Sequence, residues 1–84
     1  MYDLSKLPNI GQTLAHKLVR VGITSQNDLK SFGSENSFIR LKTVDKNACI
    51  NILYALEGAI QGIRWHNLDS KRKAELKDFF DHVK

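Results

Sequence analysis

Between Ala48 and Gln61 the sequence "ACINILYALEGAIQ" sets Cys49, Ile52, Leu53, Leu56 and Ile60 on one stripe at helical spacing, and Ile50 and Tyr54 carry the apolar surface round the side. A second strip, Ala48, Ala55, Gly58, Ala59 and Gly62, holds only small residues and lets a neighbouring helix approach closely. A helix apolar over most of its circumference has to be enclosed by other elements. In a chain of 84 residues this dictates the plan: a central helix over about 47–61, with everything else wrapped round it. Cys49, on the apolar stripe, reads as a buried, inert thiol. Glu57 lies inside the same helix, where an unpaired charge is costly, so it is expected to face an Arg, a Lys, free backbone NH groups or solvent.

The flanking segments read as short helices, because no run shows the period-2 alternation of a strand. Asp3 to Lys6 forms one turn before Pro8, whose ring disfavours helical geometry at the residue ahead of it. Gln12 to Val21 sets Leu14, Ala15, Leu18 and Val21 on one face and Thr13, His16, Lys17 and Arg20 on the other. Gly22 suits the left-handed residue just past a helix end, and Thr24 or Ser25 can cap a third helix running to about Phe32 and ending at Gly33, with Ser25 and Asp28 able to form a capping box. Ser34 caps a fourth helix that brings Phe38, Ile39 and Leu41 to the core. Thr43 to Asn47 is a loop, and Ile63 to Leu68 a turn carrying Trp65. Asp69 or Ser70 caps a last helix over about 70–83, with Leu76, Phe79, Phe80 and Val83 inward. Lys71, Arg72 and Lys73 fall in its first turn, where positive charge opposes the helix dipole, and read as a solvated face. The expected fold is all-α, a compact bundle of about five short helices forming one domain over 1–84.

Composition removes several classes of function. With 42% hydrophobic and 26% charged residues and a single proline, the chain has the balance of a folded domain. The lone Cys49 has no intramolecular disulfide partner, and the N-terminal stretch shows no secretory or lipidation pattern, so a cytoplasmic setting is expected. No apolar run approaches the roughly 18 residues of a membrane span. His16, His66 and His82 lie at no metal-ligand spacing, and the glycines fit neither a phosphate loop nor a dinucleotide fingerprint, so no metal or cofactor is expected. Asp78 and Asp81 share a surface helix with Glu75 and form no desolvated pair. A non-enzymatic role follows.

The formal net charge of +4 is uneven. Residues 1–42 hold six basic side chains (Lys6, Lys17, Arg20, Lys30, Arg40, Lys42) against three acidic ones, and the remainder holds seven against six. The first half is therefore the expected surface for an anionic partner. It also contains "LPNIG", Leu7 to Gly11, a tight turn running into a helix. The backbone NH groups of Ile10, Gly11 and Gln12, together with Thr13, would point outward at a positive helix end, the geometry that holds a phosphate. Lys17 and Arg20 flank them as charge contacts.

This turn resembles a helix-hairpin-helix motif, whose common form is Leu-Pro-Gly-hydrophobic-Gly with Ala four residues after the second glycine. Leu7, Pro8, Ile10, Gly11 and Ala15 match it. Asn9 stands in place of the first glycine and tolerates left-handed geometry. Thr13 stands where DNA-binding members often have a basic residue. The resemblance implies a helix-hairpin-helix, SAM-like N-terminal half over about 3–33.

The order of motifs as a whole resembles the C-terminal domain of the TfoX/Sxy family of bacterial competence regulators. The matching stretches are "LPNIG", "VGI" at Val21 to Ile23, "DLKSFGS" at Asp28 to Ser34, "RLK" at Arg40 to Lys42, and "LYALEGAIQGIRWHNL" at Leu53 to Leu68. The Glu-Gly pair inside an apolar helix, followed by Trp65, is the most specific of them. The resemblance implies a free-standing bacterial counterpart of a domain that regulates DNA-uptake genes, as a co-activator with a promoter-bound activator. Two functional readings result. In the first, Ile10, Gly11, Gln12, Thr13, Lys17 and Arg20 contact DNA backbone, or the module acts with a DNA-bound transcription factor. In the second, the turn only reverses the chain, and a surface around Trp65 and His66 binds a protein, with no nucleic acid involved.

Overall fold

Leu4, Leu18, Leu29, Phe38, Leu53 and Leu56 are completely shielded from solvent and meet in one core. In the computed structural model, which describes residues 4–83, that core is enclosed by helices alone. A 3₁₀ turn, Leu4–Lys6, leads to α1 (Gln12–Arg20), α2 (Gln26–Lys42) and α3 (Ile50–Gln61); a second 3₁₀ turn, Trp65–Asn67, precedes α4 (Ser70–Val83). No strand occurs among the described residues, as the missing period-2 pattern implies. Asp3, expected to open the first turn, lies outside them.

The third and fourth helices expected on either side of Gly33 are both present, and α2 is the two of them joined across a kink at that residue. Gly33 has φ 79° and ψ 165°, a left-handed-side conformation that side chains other than glycine's resist. Nothing lies within 4 Å of the point a Cβ would occupy there, so backbone geometry alone demands the glycine. At the start of α2 the Ser25 hydroxyl accepts a hydrogen bond from the Asp28 NH at 3.1 Å. The Asp28 carboxylate reaches one residue further back than a capping box, accepting from both the NH and the hydroxyl of Thr24 at 3.0 Å. These Thr24 hydrogen bonds hold the Asp28 carboxyl below its usual range.

α3 is the central helix, with Leu53, Ala55, Leu56, Gly58 and Ala59 buried and α2 and α4 packed on it. Two expected core positions prove to face outward. Helix α3 begins at Ile50, so Cys49 is its extended N-cap (φ −95°, ψ 171°) and its side chain is exposed, not buried. A residue just outside the first turn does not share the helical face its spacing suggests. Ile39 is 46% exposed, because Phe38 and Leu41 occupy the inward face and the intervening residue is rotated by about 100°. On α4, Leu76 is fully buried, and Phe79, Phe80 and Val83 pack half-buried against the core. The Phe80 ring sits 5.8 Å from that of Phe38.

Glu57 has the cationic partner its burial requires. Its carboxylate accepts from Arg72 at 3.0 Å, from the Ser34 hydroxyl at 2.7 Å and from the Gln61 amide at 2.6 Å. Arg72 also reaches Glu75 at 3.2 Å and Glu35 at 3.7 Å. Burial pushes the Glu57 carboxyl up, but the hydrogen bonds from Arg72, Ser34 and Gln61 outweigh it and leave the group below its ordinary value. Arg72 is thus not part of a solvated basic face: it joins α4 to α3 and the second half of α2.

Candidate nucleic-acid interface

The turn ahead of α1 is built by short-range bonds. Leu7 NH donates to Leu4 O at 3.0 Å and Ile10 NH to Leu7 O at 3.4 Å. Asn9, at φ 71°, adopts the left-handed geometry that its type tolerates. Ile10 is 4% exposed, so its side chain belongs to the core and its NH to the turn. Gly11 is the extended N-cap of α1 with no side-chain cap, and Gly11, Gln12 and Thr13 are exposed. The first NH groups of α1 lack acceptors one turn earlier in the helix, and its first turn carries no acidic side chain. That end of α1 has the positive polarity and free donors that suit a phosphate oxygen.

The basic stripe further along α1 is only partly available. Lys17 is held by Asp45 at 2.8 Å, and this hydrogen bond, ahead of the Lys17 and Lys42 charges, keeps the Asp45 carboxyl below its usual range. Arg20, one turn on, is exposed. Two cations that local spacing did not assign to this surface come up beside it. Arg40 donates to Val21 O at 3.0 Å, just beyond α1, with its guanidinium 4.3 Å above the Phe32 ring. Lys42 lies near enough to Asp45 to attract it. Lys17 and Lys42 therefore share the Asp45 carboxylate, and Arg40 is fixed at the chain just after Arg20. The excess of positive charge in residues 1–42 was the only sequence signal for this gathering, since nothing local places the end of α2 against α1.

Trp65 and His66 lie elsewhere, after α3. The Trp65 ring stacks on Tyr54 (centroids 5.8 Å apart, 14° between planes) and on His66 (4.1 Å, 26°), and the Lys73 ammonium is 5.6 Å from its centre. Trp65 is half-buried and His66 exposed. Asn9 joins the two regions: its amide donates to Ile63 O at 2.9 Å and its carbonyl accepts from Trp65 NH at 3.1 Å.

The TfoX C-terminal domain profile matches residues 1–80. The chain belongs to the TfoX C-terminal domain family. It is 35% identical over 80 residues to Protein Sxy of Escherichia coli (strain K12), an overlap that covers 95% of this chain and 38% of that protein. The chain thus spans well under half the length of this curated relative, and it is related to the Sxy/TfoX competence regulators. Two crystal structures of Listeria monocytogenes proteins, one titled uncharacterized and the other of unknown function, resemble it closely. The first, a triclinic form, has a TM-score of 0.93 at 49% identity, covering 95% of this chain and 91% of that one. The second, a tetragonal form, has a TM-score of 0.92 at 48% identity, covering 95% and 99%.

In this TfoX C-terminal domain the Glu-Gly pair of α3 has a physical explanation. Glu57 faces Arg72 across the core edge, while the next residue, Gly58, rotated by about 100° on the helix, admits the turn. A Cβ on Gly58 would stand 2.5 Å from the Asn9 amide nitrogen, 2.8 Å from Ile63 O and 3.1 Å from Trp65 N. Two of the motifs that carry the resemblance, "LPNIG" and "EGAIQGIRW", are thus in direct contact. No cluster of His, Cys, Asp and Glu suited to a metal ion occurs among the described residues.

Proposed function

We propose that this TfoX C-terminal domain is a non-enzymatic, cytoplasmic regulatory module whose helix-hairpin-helix-like turn and α1 contact the DNA backbone, alone or beside a DNA-bound transcription factor. The observation that carries this reading is the exposed amino end of α1, Gly11 to Thr13, followed along the same helix by Lys17 and Arg20 and bordered by Arg40 and Lys42. Kinship with regulators rather than catalysts supports it. No helix among the described residues is long and apolar enough to cross a membrane.

The surface holds phosphates without reading bases, since side chains at a helix end and one basic stripe offer no paired donor and acceptor to a groove edge. Two to four phosphate contacts correspond to a salt slope of about −2 to −4 and a non-specific affinity near 0.1 mM at physiological salt. Fluorescence anisotropy of a labelled duplex across a salt series tests this. The double variant Lys17→Ala/Arg20→Ala is expected to lose salt-dependent binding; an unchanged titration would remove this surface from consideration.

A further inference from the structure

We infer that the ring stack Tyr54, Trp65, His66 is a platform for a base of single-stranded nucleic acid. This site is separate from the α1 surface and does not depend on the duplex-backbone reading. Trp65 is the middle ring, and its stacking on both neighbours holds the set in register. His66 stacks on Trp65 and is exposed, so the ring set reaches the protein surface at the imidazole. A base laid on such a pre-stacked ring gains attraction without ordering a loose side chain.

The charge around the rings has the sign a nucleotide requires. From Gly58 to Lys73 the sequence carries Arg64, Lys71, Arg72 and Lys73 against Asp69 alone. Arg72 is engaged with Glu57, but Arg64 and Lys71 are exposed, and Lys73 sits against both the Trp65 ring and, at 3.4 Å, the His66 carbonyl. Stacked aromatics bordered by cations that follow a backbone make up the recognition pattern of single strands.

A protein partner fits less well. Protein interfaces are built round a desolvated apolar centre of several side chains. Here the neighbours Gln61, Gly62, Arg64, Asn67 and Asp69 are exposed and polar or small, and among the described residues the one large exposed hydrophobic side chain, Ile39, lies on α2.

Trp65 is the only tryptophan in the chain, so its emission reports the stack directly. The whole chain is titrated at low salt with an oligothymidylate of about 12 nucleotides and with an abasic oligomer of the same length. The thymidylate is expected to quench Trp65 and to bind at least about tenfold more tightly than the abasic strand. His66→Ala, an exposed position whose folding is checked by circular dichroism, should lose about fivefold or more of thymidylate affinity and leave abasic binding unchanged, with His66→Phe restoring it. Equal affinity for the two strands, or no change in emission, would overturn the inference and leave the rings to a protein partner. The Lys17→Ala/Arg20→Ala chain separates the two sites: thymidylate binding and Trp65 quenching are expected to stay intact there whatever happens to duplex binding, and their loss in that chain would overturn a separate platform.

Discussion

The side-chain carbonyl of Asn9 accepts a hydrogen bond from the main-chain NH of Trp65 at 3.1 Å, across 56 positions of sequence. The amide of the same side chain donates to Ile63 O at 2.9 Å, so one carboxamide satisfies two main-chain groups of the segment after α3. A glycine at this position would keep the left-handed turn and lose both bonds. Asn9→Gly should therefore lower stability by about 1–2 kcal/mol, despite glycine's easier φ. Asn9→Ala should fall further, by about another 1 kcal/mol, because alanine resists the left-handed region. Urea denaturation ranks the three; a glycine variant as stable as the parent would show that the bridge contributes nothing.

Gly58 offers a sharper test of the same contact. In an ordinary helix interior, glycine to alanine stabilises by about 1 kcal/mol. Gly58→Ala should instead destabilise by about 1–3 kcal/mol, since the new methyl meets the Asn9 amide and the Ile63 carbonyl well inside contact distance. Removing the Asn9 side chain takes away one of those obstacles, so Asn9→Gly should restore part of the loss. A double-mutant cycle read by thermal melting measures that coupling.

The Glu57–Arg72 pair predicts a pH signature. The folded Glu57 pKa lies below its unfolded value, so its contribution is complete above the unfolded pKa of about 4.3 and disappears as pH falls through the folded value. The stability gap between the parent and Glu57→Gln should be constant near neutrality and close below about pH 4. Arg72→Met leaves the buried carboxylate without its cation, and should cost about 2 kcal/mol at neutral pH, softened by the Ser34 and Gln61 bonds. A gap that does not narrow in acid would contradict this account.

Asp45 competes with any phosphate for Lys17. If α1 is the phosphate surface, Asp45→Asn should raise duplex affinity about three- to tenfold at low salt and steepen the salt dependence by about one unit. Anisotropy titrations of the variant decide the matter, and an affinity equal to the parent's would count against Lys17 as a contact.

Cys49 caps α3 without a side-chain hydrogen bond and is exposed. Its thiol should react with a chromogenic disulfide reagent in the folded protein as fast as in the unfolded one. Cys49→Ser supplies the oxygen acceptor that an N-cap prefers and should add about 0.5–1 kcal/mol to the unfolding free energy. Slow modification in the absence of denaturant would restore the buried reading.

Helix positions, the Ser25 cap and the break at Gly33 are legible along the chain because each depends on residues within a turn or two. The 3.6-residue period marks Leu14, Ala15 and Leu18 or Leu53 and Leu56 as inward, and Ser25 and Gly22 mark a start and an end. The same logic fails by one position at Cys49 and at Ile39. There the decision rests on where the helix begins or on which of two adjacent apolar residues its neighbour covers. The elements of the α1 surface were visible, but Arg40 and Lys42 were not placed on it, and Lys17's attachment to Asp45 was hidden.

Neighbouring side chains thus dictate an all-helical chain with an apolar centre at α3, a left-handed turn at Asn9 and a family likeness carried by its motifs. The partnerships belong to packing: Asn9 with Trp65, Glu57 with Arg72, Lys17 with Asp45. Each joins residues on different elements, and the distances between them depend on how α2, α3 and α4 dock. A carboxamide at φ 71° reads as a turn residue until the helix that brings Gly58 beneath it is in place, and then it becomes the clasp between the two ends of the fold.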